Sequence, residues 1–244
     1  MKVIEGITVT QPCVLKWVRK YMELMKSYLD KFTPQLGGIW HSDEMMVNVR
    51  RTQKIRVGAK GEQVGYYSWA WNLMDHQTRF LIASEVTKHR YVEDAKKVLR
   101  QAKDVASGQV PDFIVTDKLP AYPQAITNEF YTQTKPRTEH VKLKSFREGT
   151  NNNILERLNG TVKERTKVMR GMNTDESAKR MLGANQTYYN YLRPHSALDG
   201  KTPAEEAGID LKLGEGNNNK YQELIRRAKK RNIPKVISEK TDSE

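Results

Sequence analysis

The chain has 244 residues, with 42 Lys or Arg against 29 Asp or Glu, giving a formal charge of +13 and a pI of about 9.6. That basic excess points first to nucleic acid and second to acidic membrane surfaces. No run approaches the roughly 18 apolar residues of a spanning helix, no charged-then-apolar signal pattern opens the chain, and one cysteine excludes an internal disulfide and suits a reducing compartment.

Residues 1–36 read as a helical segment after a short polar lead. Thr10 can cap a helix that has Pro12 in its first turn. Val14, Trp17, Val18, Tyr21, Leu24 and Met25 keep helical phase, while Lys16, Arg19 and Lys20 point elsewhere. Two readings fit. One is the recognition helix of a helix-turn-helix, with Lys16, Arg19 and Lys20 on DNA; the other is an amphipathic connecting helix. Only about ten residues precede it, too few for a complete helix-turn-helix. Cys13 reads as a small buried or half-buried apolar residue, since one Cys and scattered His offer no ligand pairs for zinc. Pro34 and Gly37-Gly38 then mark a boundary.

Residues 39–87 predict three strands in an antiparallel meander. In the first, Ile39, Asp43, Met45, Val47 and Val49 share one parity. Asp43 therefore lies on an apolar face and Glu44 points the other way. A carboxylate so placed is costly unless paired or metal-bound. A turn near Gly58 to Gly61 leads to the aromatic strand YYSWAWNLMD, and a turn at Asp75 to Thr78 leads to FLIASEV.

From Tyr91 to Ala106, Ala95, Val98, Leu99 and Ala102 keep helical phase. The apolar run Phe113 to Val115 stops at Thr116-Asp117 and reads as a buried strand parallel to its neighbours. Asp117 sits at the carboxyl end, where α/β sheets hold ligand-binding groups. It suits equally a turn residue, or a cap for a helix from Tyr122 to Phe130. EHVKL, residues 139–143, predicts a fifth short strand.

Asn151 to Met172 predicts a helix with two faces. Leu155, Leu158, Val162 and Met169 form an apolar stripe; Glu156, Gly160, Lys163, Lys167 and Arg170 follow the same steps on another side. One acid followed by a column of bases suits a helix that offers a carboxylate to a metal and its bases to a polyanion. The plainer reading is a solvated surface helix. Asn159 can orient Glu156, contact DNA, or lie on the surface as a plain amide. A further helix, Asp175 to Tyr191, is expected to bury Ala178, Met181, Leu182, Ala184 and Tyr188. His195, alone in a turn, reads as structural. GEGNNN, residues 214–219, reads as a link. Beyond it a short basic helix carries RRAKKR, which is either a DNA-backbone contact or a solvated end.

Strand, strand, strand, helix, strand, helix, strand, helix is the order of a ribonuclease H-like mixed sheet flanked by helices. That order can bring Asp43, Asp117 and Glu156 to one sheet edge. The expected division is an N-terminal helical segment at 1–36, a catalytic domain at 37–208 and a linker with a basic tail at 209–244.

Four blocks then carry a family resemblance: Trp40 to Glu44, Val115 to Asp117 with Ala121-Tyr122, Asn152 to Lys163, and Tyr189 to Leu198. Across residues 10–208 the chain resembles the DDE transposases of prokaryotic insertion sequences, and above all insertion-sequence family six. The resemblance implies that Asp43, Asp117 and Glu156 form a catalytic triad holding two divalent ions, Mg²⁺ or Mn²⁺. It implies cleavage of DNA at 3′ ends followed by strand transfer, in the cytoplasm of a prokaryote at the nucleoid. The implied partners are double-stranded DNA, both element ends and target, and a second or further copy of the chain on that DNA, with no membrane involved. Lys163, Lys167 and Arg170 are expected to face DNA, as are Lys16, Arg19 and Lys20. Two other functions fit the residues: a truncated or repurposed DNA-binding protein, and a ribonuclease H-like nuclease without strand transfer. Relative to similar proteins, the gap between Asp117 and Glu156 is longer and the N-terminal DNA-binding unit is less complete.

Overall fold

A computed structural model describes residues 2–4, 7–49, 56–57, 63–64, 67–132, 138–143, 153–168, 172–214 and 217–231. The described chain divides into two compact units: residues 1–32 with 212–244, and residues 33–211.

The first unit opens with two short strands, β1 (Lys2–Ile4) and β2 (Ile7–Val9), paired antiparallel. The polar lead expected there is thus a small hairpin; the β-branched residues on either side of Gly6 were its signal. Helix α1 (Gln11–Leu29) follows, with Pro12 in its first turn as expected. Thr10 occupies the cap position but makes no capping bond; its hydroxyl donates to Cys13 Sγ at 3.4 Å. Cys13 is exposed, contrary to its reading as a buried apolar residue. Met22, Met25, Tyr28 and Leu29 are buried, whereas Trp17, expected on the apolar stripe, is exposed. Lys16 and Lys20 are exposed, and the Arg19 side chain lies outside the described residues. The C-terminal helix of this unit buries Leu224 and Ala228. Its Glu223 accepts from Arg226 Nε at 2.6 Å and from Arg227 Nε at 2.7 Å, so two of the basic residues flanking this helix are paired within it.

The second unit is built on a five-stranded mixed sheet. Its strands are β3 (Ile39–Asn48), β6 (Tyr67–Asp75), β7 (Leu81–Thr87), β8 (Phe113–Thr116) and β9 (Glu139–Lys142). Two further two-residue strands, β4 (Arg56–Val57) and β5 (Gln63–Val64), pair between β3 and β6; the Gly58 to Gly61 turn expected there lies outside the described residues. The spatial order is β7-β6-β3-β8-β9. The meander β3, β6 and β7 is antiparallel, whereas β8 and β9 join parallel to β3. This is the ribonuclease H-like arrangement: three consecutive strands, then two that must cross over to reach the other side of β3.

Helices cover both faces. Between β7 and β8 runs α2 (Val92–Ala106), between β8 and β9 α3 (Ala121–Phe130), and after β9 come α4 (Asn153–Val168) and α5 (Asp175–Tyr191). One sheet face packs Met45, Val47, Ala70, Met74, Leu81 and Val86 against Leu155, Leu158 and Val162 of α4 and Ala178 and Leu182 of α5. The alternation of β3 and the stripe of α4 are therefore two halves of one core, each buried Leu or Val stabilising it by about 1.5–3 kcal/mol. On the other face Trp40 meets Phe130, and Trp71 meets Tyr122, each edge to face. Of the residues expected along α4, Met169 and Arg170 lie outside the described residues, as do Asn151 and Asn152.

The turn from β6 to β7 is held by Asp75. This buried carboxylate accepts from Thr78 N at 2.8 Å, Thr78 Oγ1 at 2.7 Å and Gly37 N at 2.9 Å. After α5 come a 3₁₀ turn at Ser196–Leu198 and α6 (Pro203–Glu206), and the C-terminal helix of the first unit is α7 (Asn217–Arg231). His195 stacks edge to face on Tyr189, and burial lowers its imidazole pKa, which fits the structural role read for it. Among the described residues no helix is long and apolar enough to cross a membrane.

Candidate active site at the carboxyl edge of the sheet

Strand register assembles the site. The parallel pairing of β3 with β8 ends at Ser42 opposite Thr116, so Asp43 and Asp117 are the next residues on two neighbouring strands. One oxygen each from Asp43, Glu44 and Asp117 lies within 4.8 Å of the others. Asp43 and Glu44 leave opposite faces of β3, as their parity requires. They converge because β8 stops beside them and leaves the edge open.

Each acid has its own surroundings. Asp117 Oδ1 accepts from Leu119 N at 2.9 Å, so the carboxylate that joins the cluster also holds the turn after β8. Glu44 has a side chain only 2% exposed. Its Oε1 accepts from Arg90 at 3.1 Å and its Oε2 from the Tyr122 hydroxyl at 3.2 Å, which in turn accepts from Ser42 Oγ at 3.2 Å. The Arg90 guanidinium lies 3.8 Å from the centre of the Trp69 ring, a cation–π contact that holds it beside Glu44. Asp43 Oδ2 accepts from Asn159 Nδ2 at 2.7 Å.

These surroundings set the electrostatics. Burial first, then the charges of Glu44 and Asp117, raise the Asp43 carboxyl to about 7, against the bonds from Asn159 and the Glu44 backbone. Burial and the Asp117 charge also raise Glu44, opposed by Arg90 and Tyr122. Burial raises the Tyr122 hydroxyl well above the ordinary phenol value, so it stays protonated and donates.

Of the three acids expected together, two meet. Glu156 is exposed in the first turn of α4 and is not among the clustered oxygens. It lies one helical turn from Asn159 and two from Lys163. Gly160, Lys163 and Lys167 are exposed along the same helix, as expected. The sequence reading missed Tyr122, Arg90 and the clustering of Glu44. It also left Asn159 open, with a plain surface amide among the readings; the residue is in fact buried. The signal for Glu44 was its place beside Asp43, and that for Asn159 was a polar side chain next to the apolar stripe of its helix.

A profile of the DDE domain matches residues 39–195. The chain belongs to the DDE domain family. The acids therefore sit in a DDE domain, which ties the protein to transposition. Among solved structures, the catalytic core domain of BIV integrase aligns at TM-score 0.42 and 13% identity, over 70% of this chain and 93% of that one. The Mos1 strand transfer complex aligns at 0.40 and 12%, over 94% of this chain and 64% of that one. The Mos1 mariner paired end complex with Mn aligns at 0.35 and 11%, over 94% and 64%. No curated protein sequence matches the chain significantly.

The donor set fits hard divalent cations. It is all carboxylate oxygen, without thiol or imidazole, as Mg²⁺ and Mn²⁺ prefer. Burial first, and then the neighbouring carboxylate charges, raise Asp43 and Glu44, and a bound cation would offset both.

Proposed function

We propose that this protein is an insertion-sequence transposase, which hydrolyses DNA to free 3′ ends and then joins those ends to target DNA. The observation that carries this reading is the meeting of Asp43 and Asp117 at the open edge of the sheet, within a DDE domain. Asp43, Asp117 and Glu156 would hold a pair of divalent ions, Mg²⁺ or Mn²⁺, which supply activation of the attacking oxygen and stabilisation of the leaving one. Glu156 joins from α4, whose Asn159 already reaches Asp43.

The chain's own residues do the rest. Asn159 turns the Asp43 carboxylate by donating to Oδ2. Arg90 and Tyr122 hold Glu44 beside the two aspartates. Lys163, exposed two turns beyond Glu156, takes a DNA phosphate, and Lys167 and Arg170 extend that track. Lys16, Arg19 and Lys20 give the backbone contacts that a chain of +13 charge is suited to make. Two DNA ends must be held at once, so the working form is a dimer or larger on DNA, acting at the nucleoid in the cytoplasm. The division into a catalytic domain at 37–208 with flanking DNA-binding segments belongs to this reading.

The test is an assay with paired element ends, taken from the DNA flanking the gene, together with Mg²⁺ and supercoiled target. Joined products support the transposase. Cleavage without joining would instead mark a nuclease, and salt-sensitive binding without cleavage a DNA-binding protein.

A further inference from the structure

We propose that Asn159 is a positioning residue for Asp43, the last link of a side-chain relay that crosses three strands and ends at the reaction centre. The inference rests on the proposed function above. Asp43 of β3 lies directly opposite Asn72 of β6, and Asn72 directly opposite Ser84 of β7. These three form a polar row across the sheet face that α4 covers, beside an apolar row of Met45, Ala70 and Val86. Helix α4 lowers Asn159 onto the row.

The bonds run one way. Ser84 Oγ donates to Asn72 Oδ1 at 2.9 Å, Asn72 Nδ2 donates to Asn159 Oδ1 at 2.8 Å, and Asn159 Nδ2 donates to Asp43 Oδ2 at 2.7 Å. Asn72 is 2% exposed and Asn159 4%, so water does not replace these partners. The direction matters. With its carbonyl taken by Asn72, the Asn159 amide can present only N–H to Asp43. A flipped amide would set oxygen against carboxylate and leave two buried groups unpaired. The relay thus fixes which Asp43 oxygen is engaged and which way the carboxylate faces. It also pins α4 at the turn that carries Glu156. Hydrogen-bonded partners of this kind orient metal-binding carboxylates, and removing one typically weakens metal affinity 10- to 100-fold.

The test uses the full chain and four variants: Asn159→Ala, Asn72→Ala, the double variant and Ser84→Ala. Mn²⁺ binding is read by titration calorimetry, end-DNA binding is read without metal, and thermal unfolding is read without metal. Asn159→Ala is expected to raise the Mn²⁺ Kd by about 10- to 100-fold while DNA affinity holds within twofold. Asn72→Ala should raise it less and Ser84→Ala least. In the Asn159→Ala background, Asn72→Ala should add nothing, because the link it acts through is gone. A purely structural amide would lower the unfolding temperature and leave the Mn²⁺ Kd unchanged, and that result overturns the proposal, as does additivity in the double variant. Should Asn159→Ala fail to fold, Asn72→Ala alone decides, by whether its Mn²⁺ Kd rises. Failure of the parent chain to bind Mn²⁺ would overturn the transposase reading together with this one.

Discussion

Two buried asparagines, Asn159 on α4 and Asn190 on α5, each bond a helix to the sheet, and they end in different places. Asn190 grips backbone: its Oδ1 accepts from Leu81 N at 2.9 Å and its Nδ2 donates to Leu81 O at 3.0 Å. Both ends of that amide are spent on a strand's own polar groups, so its work is docking. Asn159 bonds only side chains, and the second of them is an acid of the proposed reaction centre. The same side chain, buried in both helices, therefore grips a strand backbone in one and a clustered carboxylate in the other. What separates them is the partner's ability to change charge, which a backbone amide lacks and a carboxylate has.

The largest expected effect on that contrast comes from the acid itself. Asp117→Asn should bring cleavage to background while metal-free DNA affinity stays within twofold in a filter-binding assay, because a ligand is lost and no positive charge. It should not destabilise the fold as an Asn190 change does; near-normal strand transfer in this variant would break the assignment of Asp117.

Next is pH. Asp43 is raised from its ordinary 3.8 to about 7. A carboxyl raised by folding contributes stability that is complete below its unfolded value and is lost as pH rises through its folded value. Without metal, the protein should therefore unfold more easily at pH 8 than at pH 5, by an amount on the order of 2–4 kcal/mol. Calorimetry across that range should show the slope, Asp43→Asn should flatten it, and Mg²⁺ should counter it at high pH. The slope should survive in Asn190→Ala.

Asn190→Ala should itself cost about 2 kcal/mol, since Leu81 N–H and C=O are left unpaired. A fall of roughly 4–8 °C in Tm is expected, with the metal concentration for half-maximal cleavage unmoved. A shifted metal requirement would erase the distinction between the two asparagines. The smallest effect is that of Lys163→Ala. It should weaken DNA binding uniformly across sequences and reduce the slope of log affinity against log salt by about 0.9, leaving metal binding as it was.

Much of this was legible in the residues. The parity of Ile39 to Val49 placed Asp43 on the buried face, and the abrupt end of the run Phe113 to Val115 placed Asp117 at a strand end. The stripe Leu155, Leu158 and Val162 identified α4 and the side it buries. What escaped depends on register, which a local pattern does not carry. Asn72 stands in the run Trp69 to Met74, otherwise apolar, and only strand pairing sets it between Asp43 and Ser84. Arg90 and Tyr122 reach Glu44 from separate helical neighbourhoods, and nothing in their spacing announces the meeting. The tyrosine-to-leucine block at 189–198 was read for its family resemblance. In the fold its asparagine and histidine serve packing.

Asp75 lies outside the acid cluster, yet its bond from Gly37 N, just ahead of β3, ties the end of β6 to the strand that carries Asp43. Should β6 pair one position out of step, Trp71 or Leu73 would arrive where Asn72 belongs, and an oily side chain would stand against the acid. A buried carboxylate that touches none of the clustered acids thus bears on them through strand alignment alone.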